Sequence, residues 1–280
     1  MTVRALYNEA RKILAEVTED PAFEALCLTE KFFGMDRSAL LLYGDRIAED
    51  AAAAEFCAVV KKRVQGEPLQ YILGEWDFMA LTLFCGEGVL IPREDTAVLV
   101  KAAAERLRCV KQPKGVDLCA GTGAVALMIA KETGAAVTAV ELFDGAFSYL
   151  ERNIARYPEL SVKAVRGDVL SAAFAESVAD GLDFIVSNPP YIETDELPTL
   201  QREVQREPMT ALDGGGDGLV FYRAICDLWA KKLREGGVLA VEIGETQGEA
   251  VAELFRKAGL RDICIHKEMG DLDRAVSGIK

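Results

Sequence analysis

Apolar residues recur at helical spacing through the first 65 or so positions, and short polar or glycine-containing breaks separate the runs. Ala5, Leu6, Ile13, Leu14 and Val17 fall on one face of a first predicted helix. Pro21 opens a second and Gly34 closes it; Asp36 is placed to cap a short third helix that ends near Gly44. A longer helix is predicted from about Glu49 to Val64, stopped by Gly66 and Pro68. Between Trp76 and Ile91 the texture changes to alternating, β-branched and aromatic residues with a Gly-Glu-Gly turn, which predicts a hairpin bridging two domains.

From Gly115 onward strand-like and helix-like stretches alternate. The strands are predicted at Val116–Cys119, Ala136–Glu141, Val162–Gly167, Phe184–Ser187, Val238–Ile243, Cys264–Glu268 and Ala275–Ile279. Such alternation implies an α/β fold with a mostly parallel sheet covered on both faces and ligands at the carboxyl ends of the strands. Only Met269–Arg274 separates the last two strands, so an antiparallel hairpin is expected at that edge.

Composition narrows the function. Half of the 280 residues are hydrophobic, enough for a core, and 32 Lys+Arg against 45 Asp+Glu give a net charge of −13. The balance is acidic in both parts, 9 basic against 15 acidic residues in 1–91 and 23 against 30 in the rest. That disfavours a broad grip on nucleic acid, which depends on Lys and Arg neutralising phosphates. The longest apolar runs fall short of the ~18 residues of a membrane span, and the N-terminus lacks a secretory core. A soluble cytoplasmic protein is expected. Its seven cysteines are scattered, with no C-x-x-C pair, so free thiols are expected rather than disulfides or a metal site. The single histidine, His266, sits in a strand-like stretch, and an ordinary strand position accounts for it.

Three segments carry candidate chemistry. Asp117-Leu-Cys119-Ala120-Gly121-Thr122-Gly123 follows the first α/β strand and opens a helix; its glycines let the backbone turn tightly against a ligand. Twenty residues on, Glu141 ends the second strand, where a carboxylate can accept from both hydroxyls of a ribose. The same spacing also satisfies a dinucleotide fingerprint, so these residues alone leave the adenosine ligand open. Asp168 and Val169 end the third strand, where a carboxylate can accept from an adenine amine and the valine can pack on the base; a plain turn aspartate is the alternative.

Most informative is Asn188-Pro189-Pro190-Tyr191 after the apolar strand Phe184–Ser187. The two prolines hold the segment extended. The Asn188 side-chain oxygen and the Pro189 carbonyl can then accept both hydrogens of one planar –NH2 group, with the Tyr191 ring beside it. A conjugated nitrogen is a poor nucleophile; two acceptors stabilise the positive charge that develops on it during attack and aim its lone pair.

Together with GEPLQYILGEWDF, GVLIPRE, REPMTALDGGGDGL and GGVLAVEIGETQG, these segments resemble, in order and over nearly the whole chain, the release-factor glutamine methyltransferase family of HemK/PrmC type. The resemblance implies a class I Rossmann-like methyltransferase domain with a mostly parallel seven-stranded sheet over 92–280, a β-hairpin linker at 75–91 and an all-α substrate-recognition bundle at 1–74. It implies S-adenosylmethionine as cofactor, S-adenosylhomocysteine as product, and methylation of the amide N5 of the Gly-Gly-Gln glutamine in class 1 peptide-chain release factors. Carried over by position, Cys119 to Gly123 wrap the methionine part of the cofactor, Glu141 binds the ribose, and Asp168 and Val169 border the adenine. Asn188 to Tyr191 hold the glutamine amide. Neither a metal, a membrane nor a direct nucleic-acid substrate is implied. The chain departs from the family pattern at Cys119 (usually glycine), Glu141 (commonly aspartate), Glu94 (usually proline), Ala97 (usually acidic) and Val169 (tryptophan in some members). Competing readings are an adenine-N6 or ribosomal-protein glutamine methyltransferase, a cofactor-binding scaffold without activity, and a nicotinamide dehydrogenase. The loop Asp213–Gly218 is open between a lid and a connector.

Overall fold

Local capping sets the helices of the N-terminal part. In the computed structural model, which describes residues 1–280, α1 (Val3–Leu14) starts where Thr2 accepts from the Ala5 amide, and α2 (Pro21–Phe33) where Asp20 accepts from Phe23. Gly34 ends α2 in the left-handed conformation. Asp36 caps α3 (Arg37–Tyr43), and α4 (Asp50–Val64) and the short α5 (Leu69–Leu73) follow. The face of α1 that is buried is Val3, Leu6, Ala10 and Leu14. Ile13, expected on that face, is 40% exposed, and Val17 lies beyond the helix. The spacing 3-6-10-14 follows one stripe, and position 13 lies at its edge, roughly 65° from its centre. α5 was not anticipated from the sequence.

The chain divides into two compact units, one of residues 1–75 with 201–206, the other of 76–200 with 207–280. Within the first, the buried Arg63 pairs with Glu24 through two hydrogen bonds of 2.7 and 2.8 Å, and with Glu203 at 2.6 Å. That pairing ties 201–206 to the helices.

The second unit begins with a hairpin of β1 (Glu75–Phe78) and β2 (Leu81–Phe84). Its turn is at Met79-Ala80, with Met79 at φ +51°, and not at Gly86-Glu87-Gly88 as the sequence suggested. The glycine segment instead runs on toward the candidate site.

A seven-stranded sheet follows, built from β3 (Lys114–Leu118), β4 (Ala136–Glu141), β5 (Val162–Arg166), β6 (Leu182–Ser187), β7 (Leu233–Glu242), β8 (Arg261–Lys267) and β9 (Asp273–Ile279). Their order is β5-β4-β3-β6-β7-β9-β8. The first five in that order are parallel, and β9 runs antiparallel between β7 and β8, so the expected edge hairpin inserts its last strand inward. Helices α6 (Ala97–Leu107), α7 (Ala124–Thr133), α8 (Asp144–Arg156), α9 (Ala172–Ser177), α10 (Val220–Ala224) and α11 (Gly248–Lys257) cover the sheet. Two apolar clusters result, one around Leu83, Leu99, Leu127 and Phe184, the other around Leu118, Ile185, Tyr222, Trp229 and Phe255. Burial on both faces is why the central strands read as apolar runs. Between β6 and β7 the crossover is a series of short 3-10 turns, the five-residue α10 and one π-turn rather than a single long helix. No helix is long and apolar enough to cross a membrane.

Candidate active site

Strand order reverses between β3 and β6, with β4 and β5 on one side and β7 on the other, and the crevice at the strands' carboxyl ends opens there. A cleft occupies that place. Its wall includes Asp117, Cys119, Ala120, Gly121 and Thr122 after β3, Glu141 to Phe143 after β4, Gly167 to Leu170 after β5, and Asn188 and Pro190 after β6. Val89 to Arg93, Thr96, Pro208, Thr210 and Phe221 complete it. Gly123, Pro189 and Tyr191 stand off the lining. His266 is also away from it, with Nε2 2.7 Å from Ser277 Oγ between β8 and β9.

The turn after β3 is held left-handed: φ is +59° at Cys119, +55° at Gly121 and +83° at Gly123. Gly123 starts α7, and a Cβ there would lie 2.7 Å from Leu150 Cδ1. Cys119 therefore adopts, with a side chain, a conformation that glycine takes without strain. Burial in the wall raises its thiol pKa well above the ordinary value, helped by the charges of Glu141 and Asp117. Asn153 on α8 fixes the turn, donating to the Thr122 and Phe84 carbonyls at 2.9 and 3.0 Å and accepting from the Phe84 amide at 2.7 Å.

Glu141 is nearly saturated by backbone. Its Oε2 accepts from the Gly121 amide at 2.9 Å, and Oε1 from Leu142 and Phe143 at 2.8 and 2.9 Å. A carboxylate has about four acceptor sites, so one remains for a ligand hydroxyl. Asp168 accepts from the Leu170 amide at 2.8 Å, and the Val169 carbonyl accepts from Trp229 Nε1 at 2.9 Å.

Asp117 carries no role in the sequence reading beyond opening the turn. Only 1% exposed, it accepts from the Ala126 amide through Oδ2 at 2.9 Å, while Oδ1, also buried, has no partner. Burial, and secondarily the charge of Glu141, pushes its pKa up to about 8. An unsatisfied buried carboxylate oxygen in a cleft wall calls for a donor from a ligand.

At the end of β6, Asn188 Nδ2 donates to Thr96 Oγ1 at 3.3 Å. The Tyr191 hydroxyl donates to Glu242 Oε1 at 3.4 Å, and the Tyr191 carbonyl accepts from Gln247 Nε2 at 2.9 Å. The loop Asp213–Gly218 lies directly on Tyr191. A Cβ on Gly214 would come within 2.7 Å of its Cα, and one on Gly218 within 2.4 Å of its carbonyl oxygen. The glycines permit this backbone-to-backbone approach, so the loop buttresses the Asn-Pro-Pro-Tyr segment. Thr96, Asn153 and Glu242 were missed because each acts on a segment far from it in sequence; the Val-Glu-Ile-Gly-Glu-Thr-Gln-Gly segment holding Glu242 was the one visible signal.

Residues 5–74 match the PrmC N-terminal domain model and 93–227 the methyltransferase small domain model. A release factor glutamine methyltransferase of Geobacter sulfurreducens is 36% identical over 99% of this chain and 96% of its own length. The one from Moorella thermoacetica is 39% identical, covering 92% and 91%, and that of Escherichia coli K12 is 34% identical, covering 94% of each. The chain belongs to the release factor glutamine methyltransferase family.

It is therefore a methyltransferase, and solved structures show the same fold at low identity. The hMettl16 catalytic domain in complex with the MAT2A 3'UTR hairpin 6 superposes with a TM-score of 0.55 at 15% identity over 85% of each chain. The T. thermophilus 16S rRNA N2 G1207 methyltransferase, in complex with AdoMet and guanosine, does so at 0.51 and 20%, covering 74% of this chain and 49% of its own. The cleft wall keeps polar groups that the fold does not use: the lone Asp117 oxygen, one acceptor of Glu141, and the Asp168 carboxylate beside Val169.

Proposed function

We propose that the enzyme transfers the methyl group of S-adenosylmethionine to the side-chain amide nitrogen of the Gly-Gly-Gln glutamine of class 1 release factors. One observation carries this reading: Asn188 lines the same cleft as Asp117, Glu141 and Asp168, and its Nδ2 is spent on Thr96, so Oδ1 is left to accept from a planar –NH2 group.

Asp117 would hold the cofactor's ammonium group, Cys119 to Gly123 would follow its methionine part, Glu141 would take a ribose hydroxyl, and Asp168 and Val169 would meet the adenine. S-adenosylmethionine, when bound, supplies a methyl carbon on a cationic sulfur and leaves as S-adenosylhomocysteine. Asn188 Oδ1 and the Pro189 carbonyl hold the two amide hydrogens and stabilise positive charge as nitrogen attacks. Pro190 and the buttressed Tyr191 keep those acceptors in place. The nitrogen becomes acidic only once the new N–C bond forms, and its proton then passes to solvent. Residues 1–74 would select the protein substrate, with Leu41, Leu42 and Tyr43 exposed for contact. The net charge of −13 supports a protein substrate over nucleic acid.

The test is methyl transfer from labelled S-adenosylmethionine to a purified class 1 release factor, to the same factor with its Gly-Gly-Gln glutamine replaced, and to DNA and RNA. Label on the intact factor alone is expected. Label on nucleic acid, or on the glutamine-replaced factor, would overturn the reading.

A further inference from the structure

An asparagine amide is nearly symmetric in shape and opposite in polarity at its two ends. Which end of Asn188 faces the cleft decides whether it accepts from a substrate –NH2 or repels it. The partner on the other side is a hydroxyl, Thr96 Oγ, 3.3 Å away and 4% exposed. A hydroxyl has one hydrogen. Pointed at Asn188, that hydrogen would draw the amide oxygen away from the cleft; pointed elsewhere, the hydroxyl accepts from Nδ2 and leaves Oδ1 facing substrate.

What lies behind Thr96 is Glu242, at the carboxyl end of β7 and 2% exposed. The Thr96 hydroxyl faces the Glu242 carboxyl and favours its ionised form. An ionised carboxylate only accepts, so it takes the hydroxyl's single hydrogen. Its Oε1 accepts from Tyr191 at 3.4 Å, and Oε2 is buried with no partner. One carboxylate thus touches both ends of the Asn-Pro-Pro-Tyr segment, directly at Tyr191 and through one hydroxyl at Asn188.

We infer that Glu242 is a positioning residue: through Thr96 it sets the Asn188 amide with its oxygen toward the substrate nitrogen, and through Tyr191 it anchors the far end of the segment. The inference rests on the reading of Asn188 as the amide acceptor. It also carries a pH dependence. Burial pushes Glu242 up to about 7, against the opposing Thr96 hydroxyl, Arg274 on β9 and the Tyr191 hydroxyl, while Asp95 in the turn before α6 adds to the rise. The remaining neighbour, Tyr222 on α10, donates to the Glu242 carbonyl at 2.9 Å. Protonated, Glu242 can donate to Thr96 instead, and the hydroxyl is then free to turn its hydrogen on Asn188. Turnover should therefore fall as pH drops through about 7.

The experiment measures kcat and KM against pH for the parent enzyme with its release factor, and for Glu242→Gln, Thr96→Val, Thr96→Ser, the Glu242→Gln/Thr96→Val double variant and Asn188→Ala. Cofactor binding by calorimetry reports folding. Loss of one oriented acceptor predicts roughly a tenfold or larger drop in kcat for Glu242→Gln and Thr96→Val, with both KM values held within about threefold. The double variant should be no worse than either single one, Thr96→Ser should recover turnover over Thr96→Val, and the acid limb near pH 7 should vanish in Glu242→Gln. Glu242→Gln or Thr96→Val within twofold of the parent would overturn the inference, as would multiplying losses in the double variant or an acid limb that persists in Glu242→Gln. Should Glu242→Gln fail to fold, the Thr96→Val and Thr96→Ser pair decides alone. An inactive Asn188→Ala beside a fully active Glu242→Gln would sink the relay only; an active Asn188→Ala would sink the reading beneath it.

Discussion

Glu207 is buried and takes Arg93 as its ion partner although 114 residues separate them in the chain. The same carboxylate accepts from the Ile91 amide at 2.8 Å. One side chain thus clamps the Ile-Pro-Arg segment to the Glu-Pro-Met-Thr segment, and both line the cleft. Arg93→Ala should cost about 1–2 kcal/mol, the lower part of the range for a buried charged partner left behind because the Arg93 side chain is 37% exposed. Urea unfolding checks this; an unchanged midpoint would mean that the clamp contributes nothing.

Asn188→Ala removes one of two acceptors for the substrate amide. Turnover should fall about a hundredfold, the scale for deleting one preorganised hydrogen-bonding group at a centre of developing charge. Cofactor affinity should change little. Steady-state kinetics with calorimetry separates the two, and turnover within twofold of the parent would reject the assignment.

Glu141 joins the cofactor cleft to three backbone amides, so its removal acts twice. Glu141→Ala should weaken S-adenosylmethionine binding by about 1–3 kcal/mol and lower stability as well. Glu141→Gln keeps acceptors for some of those amides and should retain more of both. Calorimetry with thermal melting tests the pair; equal affinity in Glu141→Ala and parent would remove the ribose role.

The Asp117 carboxyl is raised from an ordinary value of 3.8 to about 8, because burial disfavours its charge. Between those values the folded chain holds a proton that the unfolded chain has released. The contribution of the group to stability is therefore complete below about pH 4 and is lost as pH rises through about 8. Asp117→Asn stays neutral and can still accept from Ala126. It should match the parent at pH 4 and melt several degrees higher at pH 8, while binding S-adenosylmethionine more weakly. Melting curves at the two pH values test this; a variant less stable than the parent at pH 8 would contradict it.

Seven free thiols should split by environment. Cys57, Cys109 and Cys264 are exposed, whereas the Cys119 thiol is held well above its ordinary pKa by its place in the cleft wall. Alkylation of the native enzyme at pH 8, read by mass spectrometry, should label the three exposed cysteines and spare Cys119. Cys119→Gly should leave stability within about 1 kcal/mol, since relief of a left-handed side-chain residue offsets the packing lost.

Much of this was legible in the sequence, because its causes are local. The central strands lie within a few residues of their expected ends, since a strand buried on both faces reads as an apolar run. Gly121, Glu141, Asp168 and Asn188 converge on one cleft because a parallel sheet brings all its carboxyl ends to one side. The hairpin turn was misread because Met79 has no glycine-like signature and adopts a positive φ only where its strands pair. Likewise Glu141 looked free for a ribose until the fold brought the Gly121 amide to it.

The sequence by itself determined which residues could do the chemistry and on which strand ends they would stand. Only the tertiary structure decided how they are aimed: Thr96 on Asn188, Glu242 on Tyr191, Gly214 and Gly218 on the Tyr191 backbone, Glu207 on Arg93. The physical reason is range. Periodicity and capping are written within a few residues, whereas these orientations depend on partners that chain folding brings from 23 to 114 residues away.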